Sequence, residues 1–286
     1  MTLTQKNKTA VVIRYIVLIA VAIGMLYPLI WLISGIWKSN AEIFTSPLPF
    51  TTNPMDGWAA IVQGFRTRIP GINLGGFFLN SLRFLIPRVI TQTLSCLLTA
   101  YAISRFRFIG KKIFFTLVIV TLLMPDVVFR IPLFLLWRDL GMLNTFAPLW
   151  LDAAFATGSF FTFMLIQFMR TIPRDLDEAA KIDGCGSFKI LFLIIVPVMK
   201  PAIITVALLT FMWGMNDFIG PLIYINDPLL QPLSTGLRLA SDTTGSAVQF
   251  NEIFAMSAMA LIPAITLFFV AQRYFIDGIA ATGSKE

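Results

Sequence analysis

A chain of 286 residues that is 57% hydrophobic and only 13% charged carries about half the charge of a soluble domain. It has no histidine, which excludes histidine-based catalysis and histidine metal ligation. Its two cysteines, Cys96 and Cys185, lie far apart and read as free thiols, since neither spacing fits a disulfide framework or a zinc site. A net charge of +7 could point to nucleic acid, but the distribution of that charge assigns it to membrane topology.

Six apolar stretches follow one another along the chain, near 12–33, 84–104, 113–136, 148–169, 198–222 and 253–272. Each is long enough to cross ~30 Å of hydrocarbon as a helix of roughly 20 residues. The predicted fold is all-α: a polytopic membrane protein of six transmembrane helices. The first stretch is too long for a signal-peptide core and is read as a retained anchor. Segment 34–76, rich in Pro, Gly, Thr and Asn ("SPLPFTTNPMDGW"), is the longest loop, and 223–252 is a second. The chain divides into an anchor helix with its loop (1–75) and a membrane core (76–286) that holds a polar insert at 171–197.

Six spans place both termini on one side. Of the 22 basic residues, 13 fall on that side and five (Lys38, Arg66, Arg68, Arg138, Arg238) on the other. Positive residues favour the cytoplasm, so the termini, the "RFRFIGKK" loop and the insert are expected there, and 34–76 outside. Arg83, Arg88, Arg130 and Lys200 remain within or at the ends of spans. Arg83 and Lys200 read as interfacial anchors whose stems reach to the membrane edge.

The insert begins "TIPRDLDEAAKIDG". Pro173 suits a first helical turn, and Asp175, Asp177 and Glu178 follow, where the helix dipole favours negative charge. Gly184 can take the left-handed conformation that ends a helix. In "GSFKILFLIIVP", Phe188, Leu191 and Phe192 are spaced along one helical face, and Pro197 and Pro201 mark the passage into the fifth span. Two short helices with a sharp corner make a knob that another protein could grip. On the residues alone, the same segment is equally an interfacial linker.

The spacing Glu178-Ala179-Ala180, three residues, Gly184, nine residues, Ile194, one residue, Val196-Pro197 resembles the cytoplasmic EAA signature of binding-protein-dependent ABC importers. Val196 stands where that family usually has leucine. "NSLRF" (80–84), "AYAISRFRFIGKK" (100–112), "MP…IPL" (124–133), "LGMLNTF" (140–146) and "QRYFIDGIAATGSK" (272–285) are similar to the permeases of carbohydrate importers on the maltose-permease side. The resemblance implies half of a heterodimeric channel in a bacterial or archaeal cytoplasmic membrane. It implies a second homologous permease, a cytoplasmic ABC ATPase dimer, an extracytoplasmic solute-binding protein, and a sugar or oligosaccharide cargo. Glu178 would contact the ATPase, Ala179 and Ala180 would allow close approach, and Asp183 and Gly184 would form the corner. ATP would be bound by the partner ATPase. "GKK" at 110–112 lacks the rest of a GxxxxGK[ST] phosphate loop, so no cofactor is expected in this chain, and no nucleic acid.

Charge inside a membrane is costly and points to function. Asp126 lies ~20 Å from the cytoplasmic end of its span, Arg130 ~27 Å, Arg88 ~24 Å and Asp217 ~25 Å, at the helical rise per residue. Asp126 and Arg130 are also four apart with the acid first, the better order for a helical ion pair, so they either line the path or neutralise one another. In the family, the stretch matching "FMWGMNDFIGPL" often reads Trp-Asn followed by aromatics and helps form the sugar site. Here Asn216, Phe218 and Pro221 fit. Met215 and Gly220 depart from the aromatics, and Trp213 is the alternative stacking face. The competing readings are the same machine carrying an anionic solute such as glycerol phosphate or a glycerophosphodiester, suggested by Arg88 and Arg130, and an integral membrane enzyme using Asp126 and Asp217.

Overall fold

The structure is a computed structural model describing residues 3–51, 54–67, 69–242 and 249–283, with side chains between 10 and 269. Among the described residues there is no strand, and every regular element is helical. It divides into two compact units: residues 1–74 with 237–262, and 75–236 with 263–286.

The first unit opens with α1 (Leu3–Gly35), whose most apolar window is buried nowhere in the chain. A helix apolar all round suits a lipid or helix-lined setting. Two short helices follow, each capped by the residue type that its first turn requires. Ser39 accepts from Glu42 N–H ahead of α2 (Asn40–Thr45), and Asp56 accepts from the N–H groups of Trp58 and Ala59 ahead of α3 (Gly57–Arg66). Lys38, counted in the sequence as a loop cation, is fully buried. Its ammonium donates to the carbonyls of Ser46 and Leu48. Ile36, Ala60 and Ala255 form a small core.

The second unit is built on α4 (Leu74–Arg105), 32 residues long. Cys96, Leu97 and Ala100 of α4 pack against Leu165, Ile166 and Met169 of α7 (Ser159–Thr171) and against Ile190, Leu191 and Ile195 of the insert.

The all-helical membrane architecture holds, but the count of six spans is not reproduced exactly. Among the described residues, three helices are long and apolar enough to cross: Ala10–Gly35, Leu74–Arg105 and Phe250–Phe269. The expected span 113–136 is two helices, α5 (Lys111–Leu123) and α6 (Val127–Asp139), bent by 105°. Pro125 supplies no N–H and disfavours helical backbone at the residue before it; Met124 has φ −80° and ψ 136°. The expected span 148–169 starts as 3-10 turns (Ala147–Leu149, Asp152–Phe155), and only the 13-residue α7 is regular helix. The fifth expected span enters through α9 (Ser187–Val198), which meets α10 (Lys200–Met215) at 81°, and breaks again before α11 (Ile219–Tyr224). Counting each bent pair as one span gives up to five. Helices α12 (Leu233–Asp242) and α13 (Phe250–Gly283) complete the order. The "QRYFIDGIAATGSK" side chains lie outside the described residues.

Candidate functional site: a helical knob and a polar cluster

The insert forms the expected corner. Chain direction changes at Ile172, which is extended, and Pro173 lies just before the cap Arg174 rather than in the first turn of α8 (Asp175–Ile182). Gly184 has φ +78°. Its N–H bonds Lys181 O at 3.0 Å, and Cys185 N–H bonds Ala180 O at 2.9 Å. This pair of backward bonds is the Schellman closure of a helix end. Asp183 is the residue capping α8, its N–H bonded to Ala179 O. A Cβ at Gly184 would meet nothing within 4 Å, so the glycine is required by backbone conformation and not by crowding.

The motif residues face different ways. Glu178, Ala179, Asp183 and Gly184 are exposed, whereas Asp177 and Ala180 are buried. Ala180 belongs to the core with Leu165 and Leu191, so its small size lets α8 approach its own neighbours. The apolar residues of α9 also divide. Phe188 and Phe192 are exposed and Leu191 is buried, contrary to the single face expected. Residues Ile190–Ile195 are π-helical, and an i→i+5 pattern shifts the register on which that expectation rests. Ile182 (87% exposed) and Phe188 (72%) flank the corner as open apolar side chains.

The insert is tied to the C-terminal end of α4. Arg105 Nε lies 3.1 Å from Asp177 Oδ2. The same guanidinium donates to Ile172 O at 3.1 Å, Arg174 donates to Ser104 O at 3.1 Å, and Tyr101 O–H donates to Ser187 O at 3.1 Å. The sequence offered Arg105 only as one basic residue among several.

Higher on α4, Arg88 comes within 3.7 Å of Asp217 and donates to Leu149 O at 3.3 Å. Asp217 accepts from Gly220 N–H at 3.1 Å. A Cβ at Gly220 would lie 2.5 Å from Asp217 Oδ2, so the glycine leaves room for that carboxylate. Asp152 interacts electrostatically with both Arg88 and Asp217, and Tyr224 with Asp152, Arg130 and Asp217. Arg88, Arg130, Asp152, Asp217 and Tyr224 thus share one polar cluster. Asp152 escaped the sequence reading because it sits in a stretch read as a uniform apolar helix. Asp126 stays apart. It is exposed at the start of α6, and no ion pair joins it to Arg130 among the described residues, so the expected i,i+4 pair is absent. The 105° bend begins there, and Asp126 precedes the regular helix on which that spacing argument depends.

Asn216 ends α10, exposed, and donates its side-chain amide to Met212 O at 2.8 Å. Trp213, half-exposed, stands 5.5 Å from Phe160 and 5.0 Å from Phe161 between ring centres. Met215 is buried and Phe218 half-buried. α10 reaches α4 closely because residue 214 is glycine; a Cβ there would lie 2.3 Å from Leu85.

Residues 93–280 match the family described as "Binding-protein-dependent transport system inner membrane component". The chain is 30% identical to the "Probable ABC transporter permease protein YurM" of Bacillus subtilis, covering 96% of this chain and 87% of that one. It is 29% identical to the "sn-glycerol-3-phosphate transport system permease protein UgpE" of Rhizobium meliloti, covering 97% and 99%. It is 27% identical to the "Diacetylchitobiose uptake system permease protein NgcG" of Streptomyces coelicolor, covering 94% and 87%. Its fold matches a chain of a bacterial ABC transporter involved in the import of the acidic polysaccharide alginate, with a TM-score of 0.79, 22% identity and coverage of 96% and 99%. The chain belongs to the family of inner-membrane components of binding-protein-dependent transport systems, the ABC transporter permeases, and is a transport component rather than an enzyme.

Proposed function

We propose that this chain is half of the translocation path of an ABC importer for a neutral sugar or oligosaccharide. A second permease supplies the other half, an extracytoplasmic binding protein delivers cargo, and both termini face the cytoplasm. A cytoplasmic ATPase dimer, which binds the ATP, grips the α8–Gly184–α9 knob. The observation that carries this reading is the knob itself: exposed Glu178 and Ala179 beside a left-handed Gly184, flanked by open Ile182 and Phe188. A carboxylate with small and apolar neighbours fits a groove that is basic at one end and apolar below.

The cargo reading rests on charge. Arg88 is the cation best placed to attract an anion, yet Asp217 and Asp152 both act on it. A cluster in which carboxylates offset the guanidinium suits hydroxyl groups, with Asn216 as a hydrogen-bonding neighbour and Trp213 as a flat apolar face for the C–H side of a sugar ring. The second reading, glycerol phosphate or a glycerophosphodiester, is favoured by the relatives named for glycerol-3-phosphate transport. Uptake by the reconstituted complex with its binding protein separates the two. N,N′-diacetylchitobiose uptake that resists excess glycerol 3-phosphate, and changes little in Arg88→Gln, supports a sugar. Import of glycerol 3-phosphate, abolished by Arg88→Gln, overturns that choice in favour of the anion.

A further inference from the structure

Arg105 and Asp177 are oppositely charged side chains whose exposures are only 7% and 10%. Neither can reach an outside partner, so neither docks the ATPase. Their approach is ionic rather than a directed hydrogen bond: Arg105 Nε and Asp177 Oδ1 make no hydrogen bond, although Nε and Oδ2 are 3.1 Å apart. Separating them would leave two charges buried without partners, a far larger penalty than the pair's net worth. The same guanidinium holds Ile172 O at the end of α7. Arg174 to Ser104 O and Tyr101 to Ser187 O close the insert onto α4 from its two sides.

α4 is also the helix that carries Arg88. From Arg88 to Arg105 it contains no proline, and those 17 steps span ~26 Å at the helical rise. One continuous helix therefore has the insert fixed at its lower end and the polar cluster toward the other. Resting on the reading that α8 docks the ATPase, we propose that Arg105 and Asp177 are positioning residues: a buried charge clamp through which displacement of α8 is delivered to α4 and so to the Arg88–Asp217 cluster. The alternative is a pair that only helps the insert to fold.

The test uses the full complex in proteoliposomes, with Mg·ATP and vanadate as the probes, so no cargo needs to be known. In a Cys185→Ser background, an environment-sensitive fluorophore sits at Leu94→Cys on the open face of α4 or at Ile182→Cys on α8. With the clamp intact, trapping shifts both signals. In Asp177→Asn and Arg105→Gln, the Ile182 signal persists while the Leu94 shift falls about tenfold, within the range for coupled neighbours. Arg105→Lys keeps the charge and recovers part of it, and the exchanged pair Arg105→Asp with Asp177→Arg recovers more. A Leu94 shift that is absent from the intact complex, or undiminished in both single variants, overturns the clamp. So does an exchanged pair no better than either single variant. Failure of every variant to insert, Arg105→Lys included, makes the pair a folding element and also overturns it. A silent Ile182 signal in the intact complex instead removes the docking reading on which the clamp stands.

Discussion

At Gly184 a single backbone angle carries the corner of the insert. A left-handed residue costs L-amino acids roughly 1–2 kcal/mol, and a β-branched one more, while the open space around Gly184 removes any steric excuse. Gly184→Val should therefore insert normally yet present a misdirected α9. We expect loss of stimulated ATP hydrolysis in the reconstituted complex, with permease in the membrane at its usual level. Glu178→Lys should do the same by reversing charge on the exposed face. Normal transport by both would reduce the insert to a linker. In the polar cluster, Asn216→Ala removes an amide that also closes α10. Losing one such hydrogen bond to a cargo hydroxyl costs ~0.5–1.5 kcal/mol, or about 2- to 13-fold in affinity. Asp217→Asn keeps an acceptor for Gly220 N–H but removes the charge beside Arg88. Concentration-dependent uptake with saturating binding protein should weaken in both; unchanged uptake in both would place the path elsewhere. The Gly184 corner was legible because helix closure is a local affair, written in consecutive residues. The Arg88–Asp217–Asp152 grouping was only partly legible, since the depth argument aligned Arg88 with Asp217 but took Asp152 for part of an apolar run.

Between elements, periodicity failed where backbone geometry departed from the ordinary helix. The spacing of Phe188, Leu191 and Phe192 predicts one face, but the π-helical turn at Ile190–Ile195 sends Leu191 inward and leaves Phe188 and Phe192 open. Such a turn is set by what the helix packs against, and the sequence records it only weakly. The consequence is an interface: Ile182 and Phe188 sit on either side of the corner with most of their surface bare. Fully burying an aliphatic or aromatic side chain is worth about 1.5–3 kcal/mol. Ile182→Ser with Phe188→Ser should then lower the fraction of ATPase that co-purifies with the permease pair, without lowering membrane insertion. Retention equal to the unsubstituted chain would mean that the groove is filled by polar contacts alone.

For the molecule as a whole, hydropathy located the apolar stretches, yet among the described residues three of them are uninterrupted helices long enough to cross. Hydropathy measures where a segment is comfortable, not whether its backbone is continuous. Pro125 breaks one stretch, and the non-helical turns around Asp152 and Gly158 shorten another. Broken helices are tolerated at membrane depth where they line a cavity or pack within protein, as a transport path requires. Sidedness rests on a separate signal, the excess of Lys and Arg on one set of loops, and it can be tested with the chain's own chemistry. Cys96 is buried and Cys185 half-buried in the insert, so Cys185 serves as a native reporter of the side on which the insert lies. Asn53, in the long 34–76 segment, lies outside the described residues; Phe50 in the same segment is exposed and provides the second position. In intact cells, Phe50→Cys should react with a membrane-impermeant maleimide, whereas Cys185 should react only after the cytoplasmic face is opened. A reporter fused after Lys285 should be active only in the cytoplasm. The reverse labelling order would invert the topology, and would put the α8–Gly184–α9 knob beyond the reach of any ATPase.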